Sequence, residues 1–582
     1  MLRQVIVAIV VFNVVAFSLL ATGNGTASAQ SVDAAIYSAR DRMHPVFAAN
    51  AMVATQEAIA TRIGVDILQA GGNAVDAAVA IGFALAVTLP RAGNLGGGGF
   101  MLIHHAQSNT THALDYREMA PAAATPDMFL APDGTLDKRV ARFSHRSAGV
   151  PGTVAGLTKA LSTFGNMPLK QVMAPAIRLA RDGIIVTRDL ADSLRSRAKR
   201  LQRNAETARI FFKADGSTYA VGERLVQSDL ARSMQLIADH GSAVFYTGEI
   251  GARIVSDMQT HAGLIRGIDL ANYAVKWRAP VFGTYRGHVI ASMPPPSSGG
   301  VHLVQILNVL EGFPLGFLGH NSSDTIHLLA ESMKLAYADR ARHLGDSDFT
   351  PVPVQGLTSK SYAAVLRERI DQRSARASTS IAAGQPGAYE SNETTHFSIM
   401  DAAGNVVSNT YTINFSYGSG ITVPGTGILM NNEMDDFSAK PGVANAYGLV
   451  GAQANAIEPG KRPLSSMTPT IVFRKGKPLL ATGSPGGSRI ITTTAQIIMN
   501  VVDHKMNIAE AVAAPRIHHQ WLPDELRVES GLSADTVSAL RERGHEVIEK
   551  NAMGSANSVM RSSAGFVGTA DPRRRGALAA GY

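Results

Sequence analysis

The sequence predicts an α/β protein, because helical and strand-like patterns both occur along its 582 residues. Ile59, Ile63 and Ile67 recur every four residues, which places them on one face of a helix. At Phe397 and Ile399 the period changes to two, which is typical of a strand. With 45% apolar and only 17% charged residues, the chain can build a substantial core. Its length fits two to four ordinary domains or one large one.

The first two predicted helices follow each other closely. The first begins near Met52 and ends at the Gly71-Gly72 pair. Asn73 can cap a second helix over 74–89, which Pro90 terminates. Apart from Asp76 this second helix is apolar on every side, and it is too short to span a bilayer comfortably. It is therefore predicted to be buried within the protein.

The rest of the chain alternates between strands, helices and turns. Four glycines at 96–99 are interpreted as close backbone packing, because the Gly-Lys-Ser/Thr ending of a phosphate loop is missing. The further predicted elements, in chain order, are strands 100–105 and 111–116, a mainly helical region 152–273 with basic stretches around 181–203, helices 301–310 and 325–343, a linker-like stretch 370–393, a hairpin 397–414 with its turn at 402–405, an uncharged loop 441–452, strands 470–474 and 479–482, and a helix 490–502.

The N-terminus has the features of a secretory signal peptide. Arg3 precedes a mostly apolar run over 5–21, and Ala27-Ser28-Ala29 has the small-x-small form of a cleavage site. The alternative is a membrane anchor, since the run is only slightly short for a spanning helix. We predict a signal peptide 1–29, cleavage after Ala29, no stable membrane span afterwards, and a periplasmic or secreted protein.

Composition and motifs exclude several functions. The chain has no cysteine, so disulfides, thiol catalysis and cysteine metal sites are excluded. The formal net charge of +8 is mild for this length, and the basic run 573–575 has no interleaved aromatic residues. We therefore predict no nucleic-acid partner and a solvated tail at 573–575. His518 and His519 lack a third ligand at a usual spacing, so a structural role is favoured and no metal site is predicted.

Five short sequence motifs together resemble the motifs of a known family. They are Thr394-Thr395-His396, Thr410-Tyr411-Thr412-Ile413-Asn414, Asn431-Asn432-Glu433-Met434-Asp435-Asp436-Phe437, Pro463-Leu464-Ser465-Ser466-Met467 and Gly483-Ser484-Pro485-Gly486-Gly487-Ser488-Arg489. In this order and spacing they resemble the γ-glutamyltransferases, which act on glutathione. The resemblance extends from about Met52 to Tyr582.

The resemblance implies both the fold and the processing of the chain. The fold would be the αββα sandwich of the N-terminal nucleophile hydrolases, formed jointly by two self-cleaved subunits. The precursor would cut itself between Glu393 and Thr394. A large subunit 30–393 and a small catalytic subunit 394–582 would then form one globular unit.

Threonine chemistry gives this cleavage a physical reason. A threonine hydroxyl is a weak nucleophile until a base removes its proton. Cleavage before Thr394 would release an α-amine with a reference pKa of about 7.7–8.0, which suits proton transfer near neutral pH. Without the cut this amine is an amide and no base exists. Maturation is therefore a chemical requirement of the mechanism.

The resemblance also assigns roles to other residues. Gly486 and Gly487 would form the oxyanion hole, and Thr412 would orient the Thr394 hydroxyl. The remaining predicted substrate-binding residues are Arg117, Ser465 and Ser466 for the substrate carboxylate, Asn414, Glu433 and Asp436 for its ammonium group, and Tyr447 in a lid formed by loop 441–452. We expect nothing in the pocket to neutralise both Glu433 and Asp436 until a cation arrives.

The predicted function is transfer of a γ-glutamyl group without a cofactor. Thr394 would take this group from glutathione or another γ-glutamyl compound and pass it to water, an amino acid or a dipeptide. One alternative is a related acylase, such as a glutaryl-cephalosporin acylase, which shares the nucleophile and the fold but has no ammonium site. Another is a secreted binding protein that has lost processing.

Overall fold

A computed structural model describes residues 42–386, 396–440, 442, 445 and 448–582. The chain divides into two compact units, 1–44 and 45–582, and in the first of them only 42–44 are described. The predicted signal peptide 1–29 lies outside the described residues. Glu393, Thr394 and Tyr447 also lie outside them. The description below concerns the second unit.

Two antiparallel sheets of seven strands each form the centre of this unit. Sheet 1 contains, in spatial order, Leu578–Gly581, Met52–Thr55, Phe397–Met400, Val406–Thr412, Gly98–His105, Thr110–Tyr116 and Lys276–Arg278. Sheet 2 contains Val46–Ala48, Phe566–Thr569, Ser558–Arg561, Lys477–Thr482, Thr470–Arg474, His288–Ser292 and Val281–Tyr285. Smaller sheets pair Ile184–Ile185 with Arg224–Leu225, Thr422–Val423 with Ile428–Leu429, and Leu526–Val528 with both Ile517–His518 and Val547–Glu549.

Helices surround the two sheets. The α-helices of the described chain are Ala58–Gln69, Ala74–Thr88, Lys138–Phe143, Thr153–Phe164, Leu169–Asp182, Arg188–Leu201, Ala205–Phe211, Ser228–His240, Ala243–Tyr246, Glu249–Thr260, Gly267–Ala271, Ser298–Leu310, Leu315–Leu318, Ser323–His343, Val354–Leu357, Lys360–Glu368, Arg489–Val502, Ile508–Ala513 and Ala534–Glu542. Short 3₁₀ turns occur at His145–Ser147, Ser378–Ser380, Glu433–Asp436 and Gln453–Asn455. None of the described helices has the length and apolar character needed to cross a lipid bilayer.

Three apolar layers hold the sheets and helices together. Between the sheets, Met52 and Phe100 of sheet 1 pack in one cluster with Ile471 of sheet 2. A second cluster joins the other face of sheet 1 to helices that include 74–88, and a third joins sheet 2 to helices that include 298–310. Stacked sheets between two helical layers confirm the predicted αββα sandwich.

The predicted hairpin lies at the centre of sheet 1. Phe397 pairs with Asn409, and Met400 pairs with Val406. Phe397 and Ile399 face the helical layer, while Met400 joins the layer between the sheets. Period-two alternation therefore placed the buried faces correctly.

Each of the two large sheets contains strands from both sides of position 393. In sheet 1 the hairpin pairs on one edge with Met52–Thr55 and on the other with Gly98–His105. Sheet 2 likewise combines strands from before and after this position. The subunit boundaries themselves stay a prediction.

The second helix matches its prediction closely. It spans Ala74–Thr88, and all of its residues are buried. Asn73 caps it, and Asp76 completes a capping box by accepting from the Asn73 N–H. The carboxylate of Asp401 also accepts from the Ala74 N–H at 2.9 Å. The hairpin turn therefore helps to hold the start of this helix.

The expectation of a solvated tail at 573–575 is wrong for Arg573. This residue pairs with Glu529 at 2.5 Å and donates to the Ala514 carbonyl at 2.8 Å, whereas Arg574 and Arg575 are exposed. The described part of the linker-like stretch is also held in place. The Trp521 indole donates to the carbonyls of Ser378 and Ile381. Contacts distant in sequence fix both segments, and local composition does not reveal such contacts.

The four glycines at 96–99 allow close backbone approach, as predicted. A Cβ added at Gly97 would lie 1.9 Å from the Thr412 carbonyl oxygen, and one at Gly99 would lie 2.4 Å from the Tyr411 Cβ. Side chains at these positions would force the two central strands of sheet 1 apart.

We expect Gly97→Ala to destabilise the protein by about 2 kcal/mol, because the new methyl group overlaps a backbone atom that cannot move alone. Thermal unfolding should show a lower Tm than that of the unmodified protein. Gly267→Ala is the matched control, since nothing lies within 4 Å of its added Cβ. Equal Tm values for the two variants would contradict the packing role.

Candidate active site

A cavity of about 790 Å³ lies where many of the predicted site residues meet. Those that line it are Thr412, Asn414, Glu433, Asp436, Ser465, Gly486 and Gly487. Arg117 and Ser466 are fully buried and do not line it. Thr394 and Tyr447 lie outside the described residues.

The end of a central strand delivers two of these residues. Thr412 is the last residue of Val406–Thr412, and its hydroxyl accepts from the Asn414 N–H at 2.8 Å. Asn414 adopts a φ of 68°, which asparagine tolerates better than most residues. Its side-chain amide donates to the Asn432 carbonyl at 3.0 Å. The strand end and the acidic segment are thereby locked together.

Asn431 positions the acidic segment. Its side-chain amide donates to the carbonyls of Gly96 and Gly149, each at 2.8 Å. Its side-chain oxygen accepts from the N–H groups of Gly149 and Glu433. A short turn then presents Glu433 and Asp436 to the cavity.

Arg117 contacts both acidic residues from beneath the cavity. Its guanidinium lies 2.5 Å from the Glu433 carboxylate and 2.9 Å from that of Asp436. A third carboxylate, that of Glu118, lies 3.5 Å from the same guanidinium. The expectation that only an external cation could neutralise Glu433 and Asp436 is therefore wrong. Arg117, which is remote from them in sequence, reaches both.

The cluster formed by Arg117, Glu118, Glu433 and Asp436 (the Arg117 cluster) still contains more acidic than basic groups. Burial raises the pKa of Glu118 to about 7 and the pKa of Glu433 well above its ordinary value, although Arg117 opposes both shifts. Burial likewise raises the pKa of Asp436. Both oxygens of Glu118 and one of Glu433 accept no hydrogen bond from the described residues. A cation at this end of the cavity would stabilise the ionised cluster.

Sequence analysis did not identify Glu118 as part of this site. The available signal was its position directly after Arg117, but neighbouring side chains need not share a site. The predicted role of Arg117 in binding a substrate carboxylate stays a prediction. In this structure Glu433 and Asp436 occupy its guanidinium.

Arg340 is a second cation that sequence analysis missed. It lies in the helix Ser323–His343, lines the cavity and is only 3% exposed. Its Nε donates to the Ser298 hydroxyl at 3.0 Å. The Ser465 carbonyl accepts from the Ser298 hydroxyl at 3.1 Å. Arg340 thus links the Ser465 segment to the wall of the cavity.

The glycine turn supplies backbone donors. Gly486 and Gly487 have φ values of 140° and 59°, and the helix Arg489–Val502 begins shortly after them. Within the described part of the chain, no acceptor takes up their N–H groups. Donors of this kind at the start of a helix suit an oxyanion.

His396 connects this turn to the hairpin. A Cβ added at Gly483 would lie 2.5 Å from the His396 ring, so this glycine permits close contact. Burial lowers the pKa of His396 to about 3, which keeps the imidazole neutral at pH 7. His396 follows Thr394 by two positions in the sequence. The glycine turn therefore packs against the residue that opens the described hairpin.

Among the described residues, two groups of side chains could hold a metal ion, and neither lines the cavity. They are His145 with Asp257 and His261, and His327 with Glu331 and His545. The His518-His519 pair belongs to neither group. His518 hydrogen-bonds to Thr492, and His519 hydrogen-bonds to Asp524 at 3.2 Å.

Comparison with known proteins matches residues 60–581 to the family model described as Gamma-glutamyltranspeptidase. The glutathione hydrolase proenzyme of Escherichia coli (strain K12) is 53% identical over 93% of each chain. The acylase ACY 1 proenzyme of Pseudomonas sp. (strain SE83) is 40% identical over 87% of this chain and 88% of its own. A crystal structure of cephalosporin acylase from Bacillus halodurans superposes with a TM-score of 0.82 at 28% identity, covering 95% and 99% of the two chains. With a match across nearly all of its described length, the chain belongs to the gamma-glutamyltranspeptidase family.

Proposed function

We propose that this protein is a self-processing γ-glutamyltransferase and glutathione hydrolase. One observation carries the proposal, namely that Glu433 and Asp436 of the Arg117 cluster line the same cavity as the Gly486-Gly487 turn. The first feature suits the ammonium group of a γ-glutamyl substrate, and the second suits the oxyanion of acyl transfer. Membership of the family supports both assignments.

The reaction begins at Thr394. The α-amine released by cleavage after Glu393 takes the hydroxyl proton, and the hydroxyl oxygen attacks the γ-carbonyl carbon of the donor. The N–H groups of Gly486 and Gly487 stabilise the oxyanion of the tetrahedral intermediate. The ammonium then returns the proton to the leaving amine as the C–N bond breaks. Water, an amino acid or a dipeptide attacks the resulting ester and restores the Thr394 hydroxyl.

The substrate is held by its α-amino acid end. Its ammonium approaches Glu433, Asp436 and the side-chain oxygen of Asn414. Its carboxylate is bound by Ser465 and Ser466 together with Arg117, which requires the guanidinium to exchange part of its present ion pairing. The Ser466 hydroxyl is fully buried and has no hydrogen-bond partner among the described residues, so it can take up this contact once the segment shifts toward the cavity.

The loop 441–452 acts as a lid. Among its described residues, Asn445 and Leu449 line the cavity. This position supports the proposal that Tyr447, in the same loop, closes over the bound γ-glutamyl group and reaches toward Asn414. Such a lid would exclude water and influence the choice between hydrolysis and transfer.

Processing and location complete the proposal. Removal of the signal peptide 1–29 leads to the periplasm or to secretion. The subunits 30–393 and 394–582 remain associated after cleavage, because the sheets combine strands from both sides of the cut. Glutathione and other γ-glutamyl compounds are the donors.

A glutaryl-type acylase is the second candidate, favoured by the similarity to acylase ACY 1 and to cephalosporin acylase. Glutaryl and γ-glutamyl groups share a carbon skeleton and differ by one α-ammonium. A glutaryl group brings no cation to the Arg117 cluster, so its carboxylates, whose pKa values burial raises, would gain no charged partner from the substrate. The cluster therefore favours the γ-glutamyl substrate.

Thr394→Ala should remain a single chain, because it lacks the hydroxyl that cleavage requires. Denaturing gel electrophoresis and N-terminal sequencing of the purified protein will test this. Thr394→Ser keeps a hydroxyl and should still give two fragments, which makes it the matched control. If the alanine variant is cut at 393/394 in pure form, another protease performs the processing.

A γ-glutamyl anilide should be turned over at least about 10⁴-fold faster than a glutaryl anilide, because a site built for a substrate group rejects the analogue that lacks it. Asp436→Ala should narrow this gap mainly by losing the γ-glutamyl activity. Measurement of kcat/KM for both substrates distinguishes a γ-glutamyltransferase from a glutaryl acylase. Comparable values in the unmodified protein would refute the transferase and favour the acylase.

The kcat/KM for a γ-glutamyl donor should rise as the pH increases through about 7, the value to which burial raises the pKa of Glu118. Below this pH Glu118 is protonated, the cluster carries less negative charge, and it attracts the ammonium less strongly. Glu118→Gln should lower kcat/KM and flatten this limb of the profile. The same rise in the Glu118→Gln variant would assign the limb to another group, such as the Thr394 amine.

A further inference from the structure

The wall of the cavity formed by the end of the helix Arg188–Leu201 is strongly basic. Arg197, Lys199 and Arg203 all line the cavity and are exposed. We call these three residues the basic wall. Sequence analysis noted basic stretches around 181–203, and the proposed reaction leaves this group without a role.

The charges around the cavity are unbalanced. Its basic lining residues are Arg91, Arg197, Lys199, Arg200, Arg203, Arg340, Arg489 and Arg574. Its acidic lining residues among those described are Glu433 and Asp436, and both already pair with Arg117. Within the described lining, the positive charge of the wall is therefore not compensated by acidic groups.

Several of the other cations already have structural partners. Arg91 pairs with Asp189 at 2.5 Å, and Arg489 donates to the Gly486 carbonyl at 3.0 Å. Arg200 donates to the Gly418 carbonyl at 2.9 Å and lies over the ring of Phe143. By contrast, the basic wall forms no ion pair with any described residue of the chain.

The same helix provides an internal comparison. Arg188 and Arg195 do not line the cavity, and both pair with Asp192, at 3.4 Å and 2.9 Å. The helix thus neutralises its basic residues away from the cavity but not those beside it. Asp192 reaches Arg188 and Arg195 because they lie four and three positions away along the helix, a spacing that Arg197 and Lys199 do not have to any acidic residue.

The basic residues at the end of this helix are close enough to affect one another. Burial, Arg197 and Arg203 together lower the pKa of Arg200 to about 10, in the direction expected of neighbouring positive charges. Uncompensated cations in a cleft with low-dielectric walls concentrate the field and attract anions. The wall is thus suited to a carboxylate.

We propose that the basic wall binds a carboxylate on the leaving part of the donor, so that donors with an anionic leaving group are preferred. This inference rests on the proposed function, because the Arg117 cluster takes the γ-glutamyl end and leaves the wall for the other end. In glutathione that end is the glycine carboxylate. A γ-glutamyl-glutamate donor offers the same chemistry with two carboxylates.

The test compares donors that differ only in this charge. We would measure kcat/KM for glutathione, for its glycine ethyl ester and for a neutral γ-glutamyl anilide. The unmodified protein should prefer glutathione to its ester by about tenfold, as expected for electrostatic steering into a charged cleft. Salt at about 0.5 M should reduce this preference, because it screens exposed charges.

Variants of the basic wall test whether it causes the preference for glutathione over its ester. Combined Arg197→Gln, Lys199→Gln and Arg203→Gln should abolish most of the acid-to-ester preference, and the single reversal Lys199→Glu should lower it further than Lys199→Gln. Arg195→Gln is the matched control. It removes a charge from the same helix outside the cavity and should leave the preference unchanged.

The outcomes separate the two proposals. If glutathione and its ester are turned over equally by the unmodified protein, the inference about the wall is wrong while the γ-glutamyl activity stands. If the preference survives in the triple variant, another group recognises the carboxylate and the inference also fails. Absence of turnover with all three donors, the neutral anilide included, would refute the proposed function itself.

Discussion

The insertion of one hairpin into the middle of sheet 1 is the constraint on which the rest of this protein depends. Both outer edges of the hairpin are paired, with Met52–Thr55 on one side and Gly98–His105 on the other. The second pairing succeeds because glycines let the strands approach without side chains between them. Since the hairpin ends at Thr412 beside the cavity, the same hydrogen bonds that complete the sheet also position the site.

The lining of the cavity carries both kinds of charge. In the Arg117 cluster, three buried carboxylates lie near the single guanidinium of Arg117. The exposed basic wall has no described acidic partner. Under the proposed function, these two groups would select the acyl group and the leaving group that fit, on a scaffold shared with related acyl-transfer enzymes.

The sequence predicted those features that depend on residues close together in the chain. Local hydrophobic period, helix capping and turn chemistry predicted three features: the capped helix after Asn73, the hairpin and the close packing of the glycines at 96–99. Seven of the site residues predicted from the family motifs line one cavity. Contacts between distant segments were missed. Arg117 and Glu433 are separated by 316 positions, and nothing local to either residue reveals that they are paired. The partners of Arg573 and Arg340 were hidden for the same reason.

The surplus of carboxylates in the Arg117 cluster has a consequence for the folded protein as a whole. Several polar atoms there are buried without a hydrogen-bond partner among the described residues, and each such atom weakens the folded state. A cationic ligand would give these atoms a partner. Because it binds only the folded state, it would increase the free energy of unfolding. The substrate is then a temporary part of the protein's own architecture, and the empty protein is its less stable form. Conditions of substrate scarcity would therefore expose the chain to unfolding and proteolysis, so that its lifetime would follow the supply of the compound that it binds.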